Sequence, residues 1–217
     1  MNLIENLNKI KTSLAEDVKL IAVSKTRSND EILELYNAGH KVFGENRVQE
    51  LIEKQEVLPK DIQWHLIGHL QRNKVKYIAE FVHLIHSVES DKLLQEINKQ
   101  ANRFERIIPC LLQIKIAEEE TKFGLDKEEA ENILKTYREK FENVQIIGVM
   151  GMATFTDDME QVRREFKSLK KVYDHFQTLD GDIQILSMGM SGDYELAIEE
   201  GSNMVRVGSA IFGERDY

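Results

Sequence analysis

The 217-residue chain carries 41% apolar and 31% charged residues with a formal net charge of −9, the balance of a folded globule with a solvated exterior rather than of a disordered chain. That acidity and the lack of any dense Lys/Arg run argue against nucleic acid as a partner, and no apolar stretch is long enough for a membrane helix. The single cysteine, Cys110, rules out an intramolecular disulfide and a thiolate zinc cluster, and a reducing cytoplasm is the expected location.

In chain order, Leu3, Leu7, Ile10 and Leu14 recur at helical spacing among charged residues. They predict an amphipathic helix rather than the continuous apolar core of a secretory signal. Eight short apolar runs rich in β-branched residues follow, at 20–24, 41–44, 63–67, 84–88, 109–116, 145–150, 183–187 and 204–207. Segments of helical period separate them, most clearly 91–103, 127–141 and 159–179. Ser28 ahead of Asp30 and Glu31, Ser90 ahead of Asp91, and Asp126 ahead of Glu128 and Glu129 provide caps and first-turn acids.

Strands alternating with helices in this way predict parallel βαβ units. Eight such units without a Gly-rich dinucleotide turn favour a closed (β/α)8 TIM barrel over an open doubly wound sheet. Two prolines, twelve glycines and no Ser/Gly-rich linker leave no boundary for a second unit, so a single domain over 1–217 is expected. Only 208–217 follow the eighth strand, too few for a full helix. The N-terminal helix is therefore expected to cover the gap beside strands one and eight.

In such barrels the chemistry sits where strands end. Strand one ends Ser24-Lys25-Thr26, placing an amine at the mouth; by position alone Lys25 is as much a strand-end cap as a reactive group. Strand eight, its neighbour on closure, runs Val205-Arg206-Val207-Gly208-Ser209, and the loops after strands seven and eight are the usual phosphate cradle. Gly208 permits close backbone approach and Ser209 adds a hydroxyl. After strand seven, Ser191 offers a second hydroxyl or, as the structural alternative, an N-cap for a helix over 194–200. A lysine amine, a phosphate cradle and the fixed cation Arg206 outline a site for pyridoxal 5'-phosphate (PLP), held as a Schiff base. Burial beside Arg206 is expected to lower the lysine pKa, as amine attack on an aldehyde requires. Arg206 can donate to the pyridine nitrogen and leave it unprotonated, which makes a weak electron sink.

Asn46, after strand two, can hydrogen-bond the cofactor, and Glu45 can orient Lys25 or Arg47. His65 and His69 have four-residue spacing, but this segment reads as strand and loop rather than a helix face, so structural or pocket-lining roles are expected and no metal site. Met150 and Met152 read as core filler or as packing against a cofactor ring.

Ala22-Val23-Ser24-Lys25-Thr26, Phe43-Gly44-Glu45-Asn46, Trp64 to Gln71, Leu186 to Ser191 and Val205 to Gly213 together resemble the pyridoxal phosphate homeostasis proteins (YggS-like) over nearly the whole chain. The resemblance implies a barrel like the N-terminal domain of alanine racemases. It also implies Lys25 as the Schiff-base lysine, Ser191, Gly208 and Ser209 at the phosphate, and Arg206 by the pyridine nitrogen. The implied role is intracellular balance of B6 vitamers and of amino- and keto-acid pools without an established reaction. Gly68-His69 stands where many relatives carry Gly-Pro. The β-domain of alanine racemase and its tyrosine base have no counterpart here, so a non-catalytic carrier, expected to be monomeric, leads. Its acceptors would be apo PLP-dependent enzymes or free amino acids. The alternatives are a racemase-like PLP enzyme, which needs a second acid or base across the ring, and a Schiff-base aldolase acting on a phosphorylated sugar.

Overall fold

The computed structural model describes residues 2–118 and 123–214. Helix α1 (Leu3–Ser13) precedes strand β1 (Lys19–Val23). Then alternate α2 (Asn29–Asn37), β2 (Val42–Glu45), α3 (Val48–Val57) and β3 (Gln63–Leu66). A 3-10 segment, Arg72–Tyr77, stands in for a helix before β4 (Leu84–Val88). The chain continues through α4 (Asp91–Arg103), β5 (Ile108–Gln113), α5 (Lys127–Lys140), β6 (Val144–Met150), α6 (Met159–Leu179), β7 (Ile185–Ser187), α7 (Tyr194–Glu199), β8 (Met204–Val207) and α8 (Ser209–Phe212).

The strands form a closed parallel barrel in sequence order, the (β/α)8 architecture that the alternation predicts. Closure runs through β1 and β8, with Lys19 opposite Met204 and Ile21 opposite Arg206. Helix starts follow the capping logic. Ser28 and Asp126 each form a reciprocal box, with Glu31 and Glu129, and Ser90 accepts from the Leu93 amide.

Two hydrophobic layers result from the two faces of each strand. Alternate residues such as Ala22, Phe43, Trp64 and Val205 pack outward against helices, while Ile21, Leu84, Leu111, Met150 and Met204 fill the lumen. Met150 is thus barrel filler, with Met152 packed against the same cluster. Helix α1 buries Leu3, Leu7 and Ile10, and Asn6 donates to the Ile211 carbonyl of α8 at 3.0 Å. The N-terminal helix therefore supplements the short terminal one, as expected; residues 215–217 lie outside the described residues.

Two strand boundaries differ from expectation by more than one residue. Strand five ends at Gln113 rather than 116: the Ile114 amide still reaches the Met150 carbonyl of β6, but the Lys115 amide turns away to the Leu125 carbonyl, and Ile114 bridges to Leu125 outside the barrel sheet. Strand seven begins at Ile185 rather than 183, because the Ile183 amide closes a turn onto Asp180. Apolar content alone does not reveal which backbone partner a strand end takes.

Candidate functional site

Lys25 lies two residues beyond β1, half-buried at the C-terminal mouth. Strand alternation places Ile21, Val23 and Lys25 on the same side, toward the barrel axis. Its backbone is fixed from both flanks. The Ser24 amide bonds the Gly44 carbonyl at 3.0 Å, and the Ser24 hydroxyl donates to Glu45 Oε1 at 2.6 Å. Lys54 Nζ donates to the Ser24 carbonyl and to Glu45 Oε1, both at 2.7 Å. On the other side the Thr26 amide donates to Glu50 Oε2 at 2.8 Å. Thr26 itself has φ of 64°, a left-handed conformation that a β-branched residue adopts only when its surroundings impose it.

Glu45 therefore acts on the Lys25 backbone through Ser24 and Lys54. Its side chain is fully buried, and that burial pushes its pKa up, opposed mainly by the Lys54 ammonium. Sequence reading passed over Lys54, although a signal was present. Val48, Leu51 and Lys54 share the buried face of α3, and a lysine in phase with apolar residues needs a buried carboxylate.

Arg206 points into the lumen from β8 and is 3% exposed. Its NH1 group donates to Ser187 Oγ at 2.6 Å and to the Ser187 carbonyl at 2.9 Å, and NH2 donates to the Gly151 carbonyl at 3.0 Å. These bonds use three of the five guanidinium N–H groups. Burial lowers its pKa to about 10, opposed by Asp193, so it stays cationic at neutral pH. Ser187 in turn meets His86 Nδ1 across the lumen at 3.2 Å, and His86 Nε2 meets His65 Nδ1 at 2.9 Å. This polar chain through the barrel interior was not foreseen. Its members sit at inward-facing strand positions, but only closure brings β7 and β4 within reach of each other.

Ser191 does not cap α7, whose N-cap is Asp193. Its Oγ instead accepts from the Gly208 amide at 3.0 Å and the Ala210 amide at 3.3 Å. The β7 and β8 loops are thereby tied together, and the Ser191 hydroxyl proton is left to donate outward. Among the described residues the amides of Ser191, Gly192 and Ser209 and the Ser209 hydroxyl donate to no protein acceptor. The Asn46 side-chain amide, half-buried after β2, is likewise uncommitted within the described residues. Uncommitted donors gathered on adjoining loops suit a phosphate dianion.

His69 is exposed, pairs with Glu89 at 2.9 Å and stacks on Phe123 with ring centroids 4.9 Å apart. It does not meet His65, which is buried in the lumen. Gly68 packs directly on Asn46: a Cβ there would lie 2.8 Å from Asn46 Cα and closer still to its carbonyl oxygen. Gly68→Ala is therefore expected to push the Asn46 backbone aside and to cost about 1–3 kcal/mol of unfolding free energy, which urea unfolding of the variant checks.

A closed parallel barrel with a lysine after its first strand and donor-rich loops after its last two defines the class of alanine racemase N-terminal barrels. The family model described as "Alanine racemase, N-terminal domain" matches residues 1–216. The chain belongs to this family, in its pyridoxal phosphate homeostasis protein branch. It is 42% identical to the Pyridoxal phosphate homeostasis protein of Aquifex aeolicus, over 92% of this chain and 88% of that one. It is 38% identical to the human protein of the same description, over 92% and 77%. PipY of Synechococcus elongatus superposes with a TM-score of 0.92 without PLP, at 36% identity over 98% of this chain and all of that one. Its PLP-bound structure gives 0.88 at 34% identity, with the same coverage. Alanine racemase of Clostridium difficile shares the fold, with a TM-score of 0.85 at 20% identity, and this chain covers 57% of it.

Proposed function

We propose that this protein binds pyridoxal 5'-phosphate at the C-terminal mouth of its barrel, joined to Lys25 by a carbon–nitrogen double bond. We place it in intracellular vitamin B6 homeostasis as a carrier rather than a catalyst, with 1–217 acting as one unit. The observation that carries this reading is the cluster of uncommitted donors on the β7 and β8 loops, at the same end of the barrel as a half-buried lysine whose two backbone neighbours are pinned. PipY, a close structural relative, has been solved with PLP bound.

When bound, the cofactor supplies an aldehyde for an amine and an electron-withdrawing ring. The chain's own contributions are separable. The Ser191 and Ser209 hydroxyls, with the backbone at Gly208, hold the phosphate, and Asn46 hydrogen-bonds the cofactor. Arg206 keeps two N–H groups beyond its bonds to Ser187 and Gly151. As a permanent cation it opposes protonation of a pyridine nitrogen beside it. A ring held unprotonated withdraws electrons weakly, which favours storage and release over proton abstraction. Release would pass the cofactor to apo PLP-dependent enzymes or free amino acids, from a monomer in the cytoplasm.

The test is borohydride reduction of the PLP-treated protein followed by peptide mass mapping. The label is expected on Lys25 alone, and the absorbance band of the bound cofactor is expected to vanish in Lys25→Ala. A label on another residue would overturn the assignment. The carrier role is checked by incubating the loaded protein with amino acids in deuterated water, where multiple turnovers of α-proton exchange would establish an enzyme instead.

A further inference from the structure

Opposite the Lys25 mouth, the N-terminal end of the barrel opens into a cavity of about 550 Å³, within the roughly 300–1,000 Å³ typical of small-molecule sites. Its walls are mostly apolar, including Leu20, Val42, Leu84 and Met204, and Lys11 and Lys19 stand on them with Glu16. His65 also lines this cavity and is 3% exposed. Its Nδ1 is taken by His86, while its Nε2 has no hydrogen-bond partner among the described residues.

The polarity of the lumen chain fixes what that nitrogen offers. Arg206 can only donate, so Ser187 Oγ accepts from it. The Ser187 proton must then go to His86 Nδ1, since the opposite arrangement leaves a buried hydroxyl proton without an acceptor. His86 consequently carries its proton on Nε2 and donates to His65 Nδ1, which places the single proton of His65 on Nε2. Both rings are neutral: burial lowers His65 to about 3 and holds His86 well below its ordinary value. His40, on the same wall, is also neutral and spends its Nε2 proton on the Val42 carbonyl at 2.8 Å. The cavity thus presents a donor of fixed orientation in His65 Nε2–H, beside the exposed side chains of Gln63 and His83 on the same lining. Lys19 lies close enough to His65, and Lys11 to His40, for their charges to act on those rings.

We propose that this cavity is a binding site for a small carboxylate with an apolar body, whose oxygen accepts from His65 Nε2–H while Lys19 and Lys11 balance its charge. A fixed donor without a protein acceptor favours a ligand that brings one, the lysines outweigh Glu16 in favour of an anion, and the aliphatic walls take the hydrocarbon part. The proposal goes beyond the cofactor reading and does not depend on it.

The experiment uses the full-length protein without PLP, labelled with 15N-histidine, and 3-phenylpropionate as probe. Long-range 1H–15N correlation is expected to show His65 as the Nε2–H tautomer, with that resonance shifting saturably on titration. Lys19→Met is expected to weaken binding roughly fivefold, and 3-phenylpropan-1-amine to leave His65 unshifted. Absence of a saturable shift, as when only water meets the imidazole, would overturn the proposal. So would an Nδ1–H tautomer, equal binding of the amine, or an unchanged affinity in Lys19→Met. A failure of Lys25 labelling would leave each of these readouts untouched.

Discussion

Replacing Lys54 with methionine is expected to cost about 3–5 kcal/mol of unfolding free energy, the usual consequence of stripping one partner from a buried ion pair. The Lys54 and Glu45 side chains are 7% and 0% exposed and meet at 2.7 Å. Glu45 Oε2 already lacks a hydrogen-bond partner, and among the described residues Lys54 is the one cation within 4 Å of the carboxylate. Without Lys54 the carboxyl takes up a proton more readily, which limits the loss but does not restore the bond to the Ser24 carbonyl. Urea unfolding of Lys54→Met measures the cost. The double variant Lys54→Met/Glu45→Leu is expected to recover only part of it: replacing both charges by apolar groups removes the unpaired carboxylate, but the Ser24 carbonyl and hydroxyl stay without their partners.

The same pair of variants separates stability from positioning. Lys54 holds the carbonyl before Lys25 and lies 3.5 Å from Glu50, whose other role is to hold the amide of Thr26. With the clamp gone, Thr26 can relax from its left-handed conformation and Lys25 loses its fixed direction. PLP affinity is therefore expected to fall about tenfold, equivalent to about 1.4 kcal/mol of lost positioning, and to stay low in the refolded double variant. Recovery of affinity together with stability would reduce Lys54 to a purely structural part.

Unfolding free energy is also expected to drop steeply as pH falls from 7 to 4.5, through histidines that the fold keeps neutral. Burial lowers His40 to about 4 and His65 to about 3, and His86 lies well below its ordinary value for the same reason. Between those values and 6.5 the unfolded chain binds protons that the folded chain refuses, so stability rises with pH across this window. It is complete above the unfolded value and is lost as pH falls toward the folded ones. At pH 4.5 His40 and His65 each withdraw about 2–3 kcal/mol, and His86 acts in the same direction. Glu45 works in the opposite direction, because its pKa is raised and acidification relieves it. Urea titrations at stepped pH check the trend. His40→Gln, which keeps a donor for the Val42 carbonyl, is expected to flatten the slope by up to one proton, and an unchanged slope would remove His40 from the account.

Much of this was legible in the residue order. Period-two runs alternating with period-3.6 runs encode a parallel barrel because each strand must bury one face in the lumen and the other under a helix. Caps at Ser28, Ser90 and Asp126 set helix starts locally, through bonds between residues three apart. The candidate site residues Lys25, Asn46, Ser191, Gly208 and Ser209 could be singled out because strand ends converge on one rim in this architecture, and Arg206 because it is a cation within the last strand. Motifs quoted from five of those ends also carried the family resemblance.

What the sequence could not determine was which polar side chains commit to one another. Ser191 looks as much like a helix cap as like a bridge between loops, until the β8 loop supplies the Gly208 and Ala210 amides. The lumen chain joins residues up to 141 positions apart, from His65 to Arg206, through bonds between neighbours in space. Local propensity and periodicity depend on residues a few positions away, whereas a buried donor is satisfied by whatever the closed barrel sets before it. The residue order by itself therefore determined the fold and the lysine at its mouth. Only tertiary structure decided how that lysine is clamped, which protons the interior histidines carry, and that the barrel has a second opening facing away from it.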